Sequence, residues 1–204
     1  MNIFHTILKN PLAYTYLRKL AAGNQNNTKQ FILSAVKKYH CSSVLDLCCG
    51  TGDFAIFDNT IRYVGIDSNS LFISYARNKY RNFKNISFQS KNILKDEIQG
   101  KYDAILLISS IHHFSDREMG KIINKILLCT KKVIIVADII PDPPSIIGKF
   151  LISLDSGSTM READDKITLF KNAGLPQLLI TKTGIVQSLF AYQYTFIVHL
   201  KRPK

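Results

Sequence analysis

Residues 44–55 read Val44-Leu45-Asp46-Leu47-Cys48-Cys49-Gly50-Thr51-Gly52-Asp53-Phe54-Ala55, and this stretch decides the fold. Val44, Leu45 and Leu47 form an apolar run of strand length around Asp46, as a strand buried on both faces requires. Gly50 and Gly52 give a tight turn and leave no Cβ to block a ligand. The spacing predicts a helix starting just after them. Its unpaired N–H groups and positive dipole end would face whatever sits above the turn.

A strand, a glycine turn and a helix belong to a nucleotide- or nucleoside-binding α/β domain, and two cofactor classes compete for it. As Gly50-x-Gly52-x-x-Ala55 the stretch satisfies the dinucleotide fingerprint, with Asp67 as the acidic ribose partner. As Asp46-x-x-x-Gly50-x-Gly52 it resembles motif I of the class I S-adenosylmethionine (SAM)-dependent methyltransferases. That motif has glycine at the third, fifth and seventh positions, and Cys48 stands here in place of the first.

The rest of the chain bounds the choice. It has 204 residues, 46% of them hydrophobic, which suffices for one domain with a substantial core. No apolar run reaches about 18 residues, which argues against a transmembrane helix. Polar residues His5, Lys9, Arg18 and Lys19 interrupt the N-terminus where a signal peptide needs an apolar stretch, so the expected location is cytoplasmic. Cys41, Cys48, Cys49 and Cys129 form no C-x-x-C pair and no zinc spacing, so no metal site is expected and the adjacent pair reads as reduced packing residues. A formal charge of +12 admits nucleic acid or peripheral contact with an anionic membrane as partner. The lysines are nevertheless spread along the chain, in pairs such as Lys37-Lys38 and Lys131-Lys132, and a soluble basic enzyme is the favoured reading.

Before the glycine turn, Ile3 to Leu20 carries apolar residues at helical spacing, interrupted at Pro11. Thr28 is the expected N-cap of a second helix through Tyr39. After the turn, Arg62 to Asp67 reads as a second strand, Leu71 to Tyr80 as a helix and Asn85 to Ser90 as a third strand. Lys101 to Ser109 is a fourth, almost wholly apolar strand running into Ser109-Ser110-Ile111-His112-His113-Phe114. Asp116 to Leu128 is the next helix and Lys132 to Asp138 the fifth strand. This alternation predicts a parallel, doubly wound sheet. A helix over Asp164 to Ala173, stopped by Gly174 and Pro176, precedes strands at about Gln177 to Thr183 and Ala191 to Leu200, joined by Gly184 to Leu189. The expected whole is a Rossmann-like, mostly parallel seven-stranded sheet with a C-terminal antiparallel strand and helices on both faces. Residues 1–204 form a single domain in this reading, with 1–40 a helical lid segment and 139–163 an insert in the substrate region.

The glycine loop, Asp67 at a strand end, Tyr102-Asp103 opening the fourth strand and Ser-Ser-Ile-His-His-Phe after it occur in one order. From about Val44 to Asp138 the chain resembles the small class I methyltransferases that act on diverse small molecules, including the quinone-methylating branch. The resemblance implies SAM as cofactor, S-adenosylhomocysteine as product, and direct methyl transfer to a small, lipophilic acceptor. By the same resemblance Gly50 and Gly52 approach the methionine moiety, Asp46 fixes the loop or the cofactor's ammonium, and Cys48, Cys49 and Thr51 line that pocket. Asp67, with Ser68 beside it, takes the ribose. Asn92 and Ile93 flank the adenine, and Ser109 lies beneath the methionine end. Tyr14, Arg18 or Lys29 caps the cofactor's carboxylate.

His112 and His113 are the catalytic candidates, since an imidazole just beyond the fourth strand can accept a proton near neutral pH. The plainer alternative is that they shape the cofactor pocket. The apolar stretch from Ile146 to Leu154 and the polar residues Asp142, Asp155 and Arg161 are expected to read the acceptor, or to pack as an ordinary helix. Two other function classes stay open, an RNA methyltransferase and a catalytically silent protein that keeps the cofactor fold. Against the first, no Asn/Asp-Pro-Pro-Tyr/Phe signature of amino-group methylation follows the fourth strand.

Overall fold

The computed structural model describes residues 10–13, 15–16, 25–141, 146, 149, 159–173, 178–187 and 192–200. Helix α1 (Asn26–Lys38) precedes strand β1 (Ser43–Leu47), followed by β2 (Arg62–Asp67), α2 (Ser70–Lys79) and β3 (Ile86–Ser90). Then come β4 (Tyr102–Ile108), a 3₁₀ turn (Ile111–His113), α3 (Asp116–Cys129), β5 (Thr130–Ile139), α4 (Ala163–Asn172), β6 (Leu178–Gln187) and β7 (Tyr192–Leu200). The strands form one seven-stranded sheet in the order β3-β2-β1-β4-β5-β7-β6. β7 runs antiparallel to both its neighbours, and the pairs from β3 to β5 are parallel. The expected architecture is the observed one.

Strands β1 and β4 are buried along their whole length because each lies between two others and under helices on both faces. Alternate residues feed two cores. Val44, Leu106, Ile135 and Tyr63 face α1, α2 and residues 54–57, whereas Leu45, Ile105, Leu107 and Ile134 face α3 and α4. α3 is fixed at its start by a capping box between Ser115 and Glu118, and it buries Met119, Ile122, Ile123 and Ile126.

Three local expectations are corrected. No helix follows the glycine turn: residues 51–54 form consecutive turns, with Gly52 N–H bonded to Cys49 O at 3.0 Å and Ala55 N–H to Gly52 O at 3.1 Å. Only Asp53 to Ile61 separate Gly52 from β2, and Phe54, Ala55 and Phe57 are buried directly against the sheet in place of a helix. Thr28 does not cap α1, which starts at Asn26 behind a left-handed Gln25; the Thr28 hydroxyl lies inside the first turn and is used elsewhere. β6 runs through Gly184 to Gln187, because a register shift between Lys182 and Gly184, where Gly184 has φ 112°, absorbs the irregularity without ending the strand. The stop signals Gly174 and Pro176, residues 1–9, 14 and 17–24 of the proposed lid (Arg18 among them), and 142–145, 147–148 and 150–158 of the insert lie outside the described residues.

Candidate functional site

The carboxyl ends of β1, β2 and β4 converge where the strand order reverses between β1 and β4, the place where open α/β sheets bind ligands. The loop after β1 is built from left-handed residues: Cys48 at φ 57°, Gly50 at 54° and Gly52 at 75°. Cys48 thus holds, with a side chain, a backbone conformation that costs an L-residue about 1–2 kcal/mol. Cys48→Gly is expected to raise stability by up to about 1 kcal/mol once glycine's greater unfolded-state entropy is subtracted. A denaturant midpoint measures this, and a clear loss of stability would show that the thiol packs productively. Burial, with Asp67 and Asp46 nearby, pushes the Cys48 thiol well above its ordinary range, so it is not a nucleophile.

Asp67 clamps this loop. Its Oδ2 accepts the Gly50 N–H at 2.9 Å and its Oδ1 the Asn69 N–H at 2.8 Å. Asn69, two residues on, caps α2 through the Leu71 and Phe72 N–H groups. Burial raises the pKa of Asp67, against the opposing effect of the Asn69 and Gly50 N–H groups and the nearby charge of His113. Asp46 is buried within β1 and accepts the Tyr63 hydroxyl at 2.5 Å, a bond that ties the loop's root to β2.

A cavity of about 100 Å³ opens beside this clamp, lined by Cys48, Ile66, Asp67, Ser68, Asn92, Ile93 and Phe114, among others. The structure therefore brings five predicted residues (Cys48, Asp67, Ser68, Asn92 and Ile93) round one slot sized for a ring. Asn92 turns its own Oδ1 to the Leu94 N–H at 2.9 Å. Cys49 and Thr51 sit deeper than expected, 7% and 1% exposed, with Cys49 packed in the core beneath the loop. The missing side chain of Gly52 points at Phe88 and Tyr80, so its role is packing rather than clearance for a ligand. Tyr14 lies outside the described residues. Its neighbour Thr15 places its hydroxyl 3.4 Å from that of Thr51, so the N-terminal segment does reach the glycine loop.

Ser109, at the end of β4, is left-handed at φ 49° and anchored by its N–H to Ala137 O at 2.8 Å. Its hydroxyl accepts from Gln193 Nε2 at 2.6 Å, and Gln193 Oε1 accepts from the Thr28 hydroxyl at 2.6 Å. This chain joins α1, β7 and the end of β4 under the site. Its residues are far apart in sequence and follow no motif, which is why sequence reasoning missed it.

The two histidines divide sharply. His113 is exposed, whereas His112 is 1% exposed and its Nδ1 lies 2.8 Å from Oδ1 of Asp138, itself fully buried at the end of β5. Their rings are 4.2 Å apart. Arg161, predicted as an acceptor contact, works instead as a clasp: its guanidinium donates to Ile111 O and Phe114 O and pairs with Asp116. Lys166, buried on α4, donates to Ile139 O at 2.8 Å and also to Arg161 O. Burial lowers the Lys166 pKa while the Asp138 charge opposes that shift. Asp138 could have been suspected only as a charge at the end of an apolar strand, and the burial of Arg161 and Lys166, which stand among Glu162, Asp164 and Asp165, carries no sequence signal.

The sheet order, the reversed seventh strand and a glycine loop clamped by a strand-end aspartate define a class I SAM-dependent methyltransferase fold. Residues 44–132, rather less than half of the chain, match the family model of a methyltransferase domain. Solved structures agree on the fold at low sequence identity. An O-methyltransferase assignment from Nostoc punctiforme PCC 73102 superposes with a TM-score of 0.66 at 20% identity, over 85% of this chain and 56% of that one. Magnesium protoporphyrin IX methyltransferase from Synechocystis PCC 6803, solved with S-adenosylhomocysteine, gives 0.67 at 16% over 87% and 84%. Human N-acetylserotonin methyltransferase, solved with SAM, gives 0.71 at 16% over 98% and 59%. The chain thus spans little more than half the length of the first and third of these. No curated protein matches the sequence significantly. Among the described residues, no helix is long and apolar enough to cross a membrane.

Proposed function

We propose that the protein methylates a hydroxyl group of a small acceptor from SAM, with His112 as general base and Asp138 as the residue that orients it. The observation that carries this reading is the buried His112–Asp138 contact at 2.8 Å, three residues past Ser109, where the methionine end of the cofactor is expected. The residues present suit the cofactor: a small slot, a carboxylate at the ribose position, and a glycine loop that lends Cys48 to the slot's wall. When bound, SAM supplies an electrophilic methyl group on a sulfonium that leaves as a neutral thioether. The protein then has to position, exclude water and move one proton.

Asp138 accepts the proton-bearing Nδ1 of His112, which makes Nε2 the basic atom of the ring. Nε2 would take the proton of the acceptor hydroxyl as that oxygen is methylated, and the Asp138 charge would stabilise the imidazolium so formed. Asp67 would hold the ribose hydroxyls, and Asn92, Ile93 and Ser68, which line the slot, would hold the adenine side. Ser109, Asp46 and Thr51 hold the backbone round the methionine moiety. His113 faces Asp67 and favours its charged form. Similarity to a protein assigned as an O-methyltransferase supports oxygen as the methylated atom.

Calorimetric titration with SAM and S-adenosylhomocysteine, with NAD as control, tests the cofactor assignment. Asp67→Ala is expected to weaken SAM binding by at least about tenfold, since charge-assisted hydrogen bonds contribute about 1.5–3 kcal/mol each. Affinity for the wild type is expected to fall as pH drops through the elevated Asp67 pKa, because the protonated carboxyl loses an acceptor. Binding of NAD alone, or of neither ligand, would sink the reading.

A further inference from the structure

The amino ends of the parallel strands lie at the opposite edge of the sheet from the cofactor site, and basic side chains collect there. Across the sheet they are Lys84 before β3, Arg62 opening β2, Lys101 before β4, and Lys131 and Lys132 opening β5, with Lys37 and Lys38 ending α1 beside them. From β3 to β5 is four strand spacings, about 19 Å. Lys37, Lys38, Arg62, Lys84 and Lys101 are exposed, and Arg62 stands over the Tyr102 ring at 4.8 Å. Two carboxylates share this edge: exposed Asp58, which accepts from Thr60, and buried Asp103, which accepts from Ser42 and lies 3.9 Å from the Lys131 ammonium. Seven of the chain's 27 lysines and arginines thus meet at this edge although they are dispersed in sequence.

At its β3 end the row opens into a cavity of about 260 Å³, lined by Arg77, Tyr80, Arg81, Phe83, Ile86, Ser87 and Phe88. Arg77 is held with its Nε on Phe88 O at 3.0 Å, and Arg81 with an Nη on Asn78 Oδ1 at 3.0 Å. Phe83 is 46% exposed and stacks edge-on with Tyr80. In the register of β2 with β3, Arg62 lies beside Asn85, so the basic row and the cavity are continuous.

We propose that this edge binds single-stranded nucleic acid, with one base seated against Phe83 and Tyr80, its phosphate at Arg77 and Arg81, and the flanking backbone along Arg62, Lys84, Lys101 and Lys131. Fixed arginines, an exposed aromatic face and a basic track are the elements of sequence-tolerant single-strand binding. A membrane surface fits less well: the edge is concave where the aromatics lie, Phe83 is the single large apolar side chain exposed there, and the edge points away from the catalytic end. The inference does not depend on which acceptor the catalytic end takes.

The test is fluorescence anisotropy of labelled oligouridylate and oligothymidylate decamers over a range of salt, with AMP and phosphatidylserine vesicles as competing probes. Both decamers are expected to bind, with affinity falling as salt rises by about 0.7 in log–log slope per phosphate contact. Arg81→Glu with Lys84→Glu is expected to weaken binding roughly tenfold or more and to flatten that slope by about 1.4. Phe83→Ala is expected to cost about fivefold or more at an unchanged slope, the mark of lost stacking. Arg81 and Lys84 are exposed and away from the cofactor slot, so their double variant keeps the SAM affinity and thermal midpoint of the wild type. Phe83→Ala, which removes a ring packed on Tyr80, is compared at a temperature where it is folded. No decamer binding at low salt, binding indifferent to these substitutions, or vesicle binding that they abolish while decamer binding survives would overturn the proposal.

Discussion

His112→Gln is expected to lower kcat towards a hydroxyl acceptor by about 10²- to 10⁴-fold, the range for losing a positioned general base, while SAM affinity is unchanged. Glutamine is the informative replacement because its amide N–H can still donate to Asp138. Alanine would leave a buried carboxylate without its partner, and loss of the fold would mimic loss of catalysis. Asp138 has its Oδ2 without a hydrogen-bond partner among the described residues, so it depends on His112 and on the nearby Lys166 charge. Asp138→Asn carries the complementary prediction. It removes the charge that favours imidazolium, so the acidic limb of the pH–rate profile moves to lower pH as kcat drops. A role confined to packing would lower activity at every pH alike. An unshifted profile in Asp138→Asn, or a His112→Gln enzyme with full kcat, would remove the dyad from the chemistry and leave His113 as the candidate.

The parts legible in the sequence are those whose causes are local. The apolar runs of β1 and β4 had to be central strands, and the strand-end position of Asp67 followed from Arg62 to Ile66 being a strand. The left-handed loop was readable at Gly50 and Gly52, but the same conformation at Cys48 was not, since cysteine carries no signal for positive φ. The helix expected after Gly52 fails for a countable reason: nine residues remain before β2, and three of them, Phe54, Ala55 and Phe57, are drawn into the core. Helical periodicity cannot report that competition. The buried polar contacts were illegible for another reason. Thr28 meets Gln193 across 165 positions, Ser109 meets Gln193 across 84, and His112 meets Asp138 across 26. Only the strand order brings these partners together. The sequence did place His112 and Ser109 just beyond the fourth strand, where they are found, but not their partners Asp138 and Gln193.

Gly52→Ala is expected to destabilise the protein by about 3 kcal/mol, from two separable causes. The residue sits at φ 75°, which costs an L-residue about 1–2 kcal/mol. A Cβ there would also come within 2.8 Å of two Phe88 ring atoms and 3.1 Å of Tyr80, and overpacking of this kind costs about 1–3 kcal/mol. Neither ring yields easily: Phe88 is 4% exposed and packs on Tyr63, and the Tyr80 hydroxyl donates to the Gly52 carbonyl at 2.8 Å. For a chain of this length the loss corresponds to a fall in melting temperature of roughly 6–12 °C. Gly120 supplies the contrast. It lies inside α3, and a Cβ there meets nothing within 4 Å, so Gly120→Ala should gain about 0.5–1 kcal/mol from helix propensity. Adding Phe88→Leu to Gly52→Ala should restore the steric part alone, leaving the cost of the left-handed backbone. The double variant therefore stays below a Phe88→Leu reference by about 1–2 kcal/mol. Full recovery would mean that the loop can turn without a left-handed residue at this position. A single Gly52→Ala variant as stable as the wild type would mean that Phe88 does not support the cofactor loop at all.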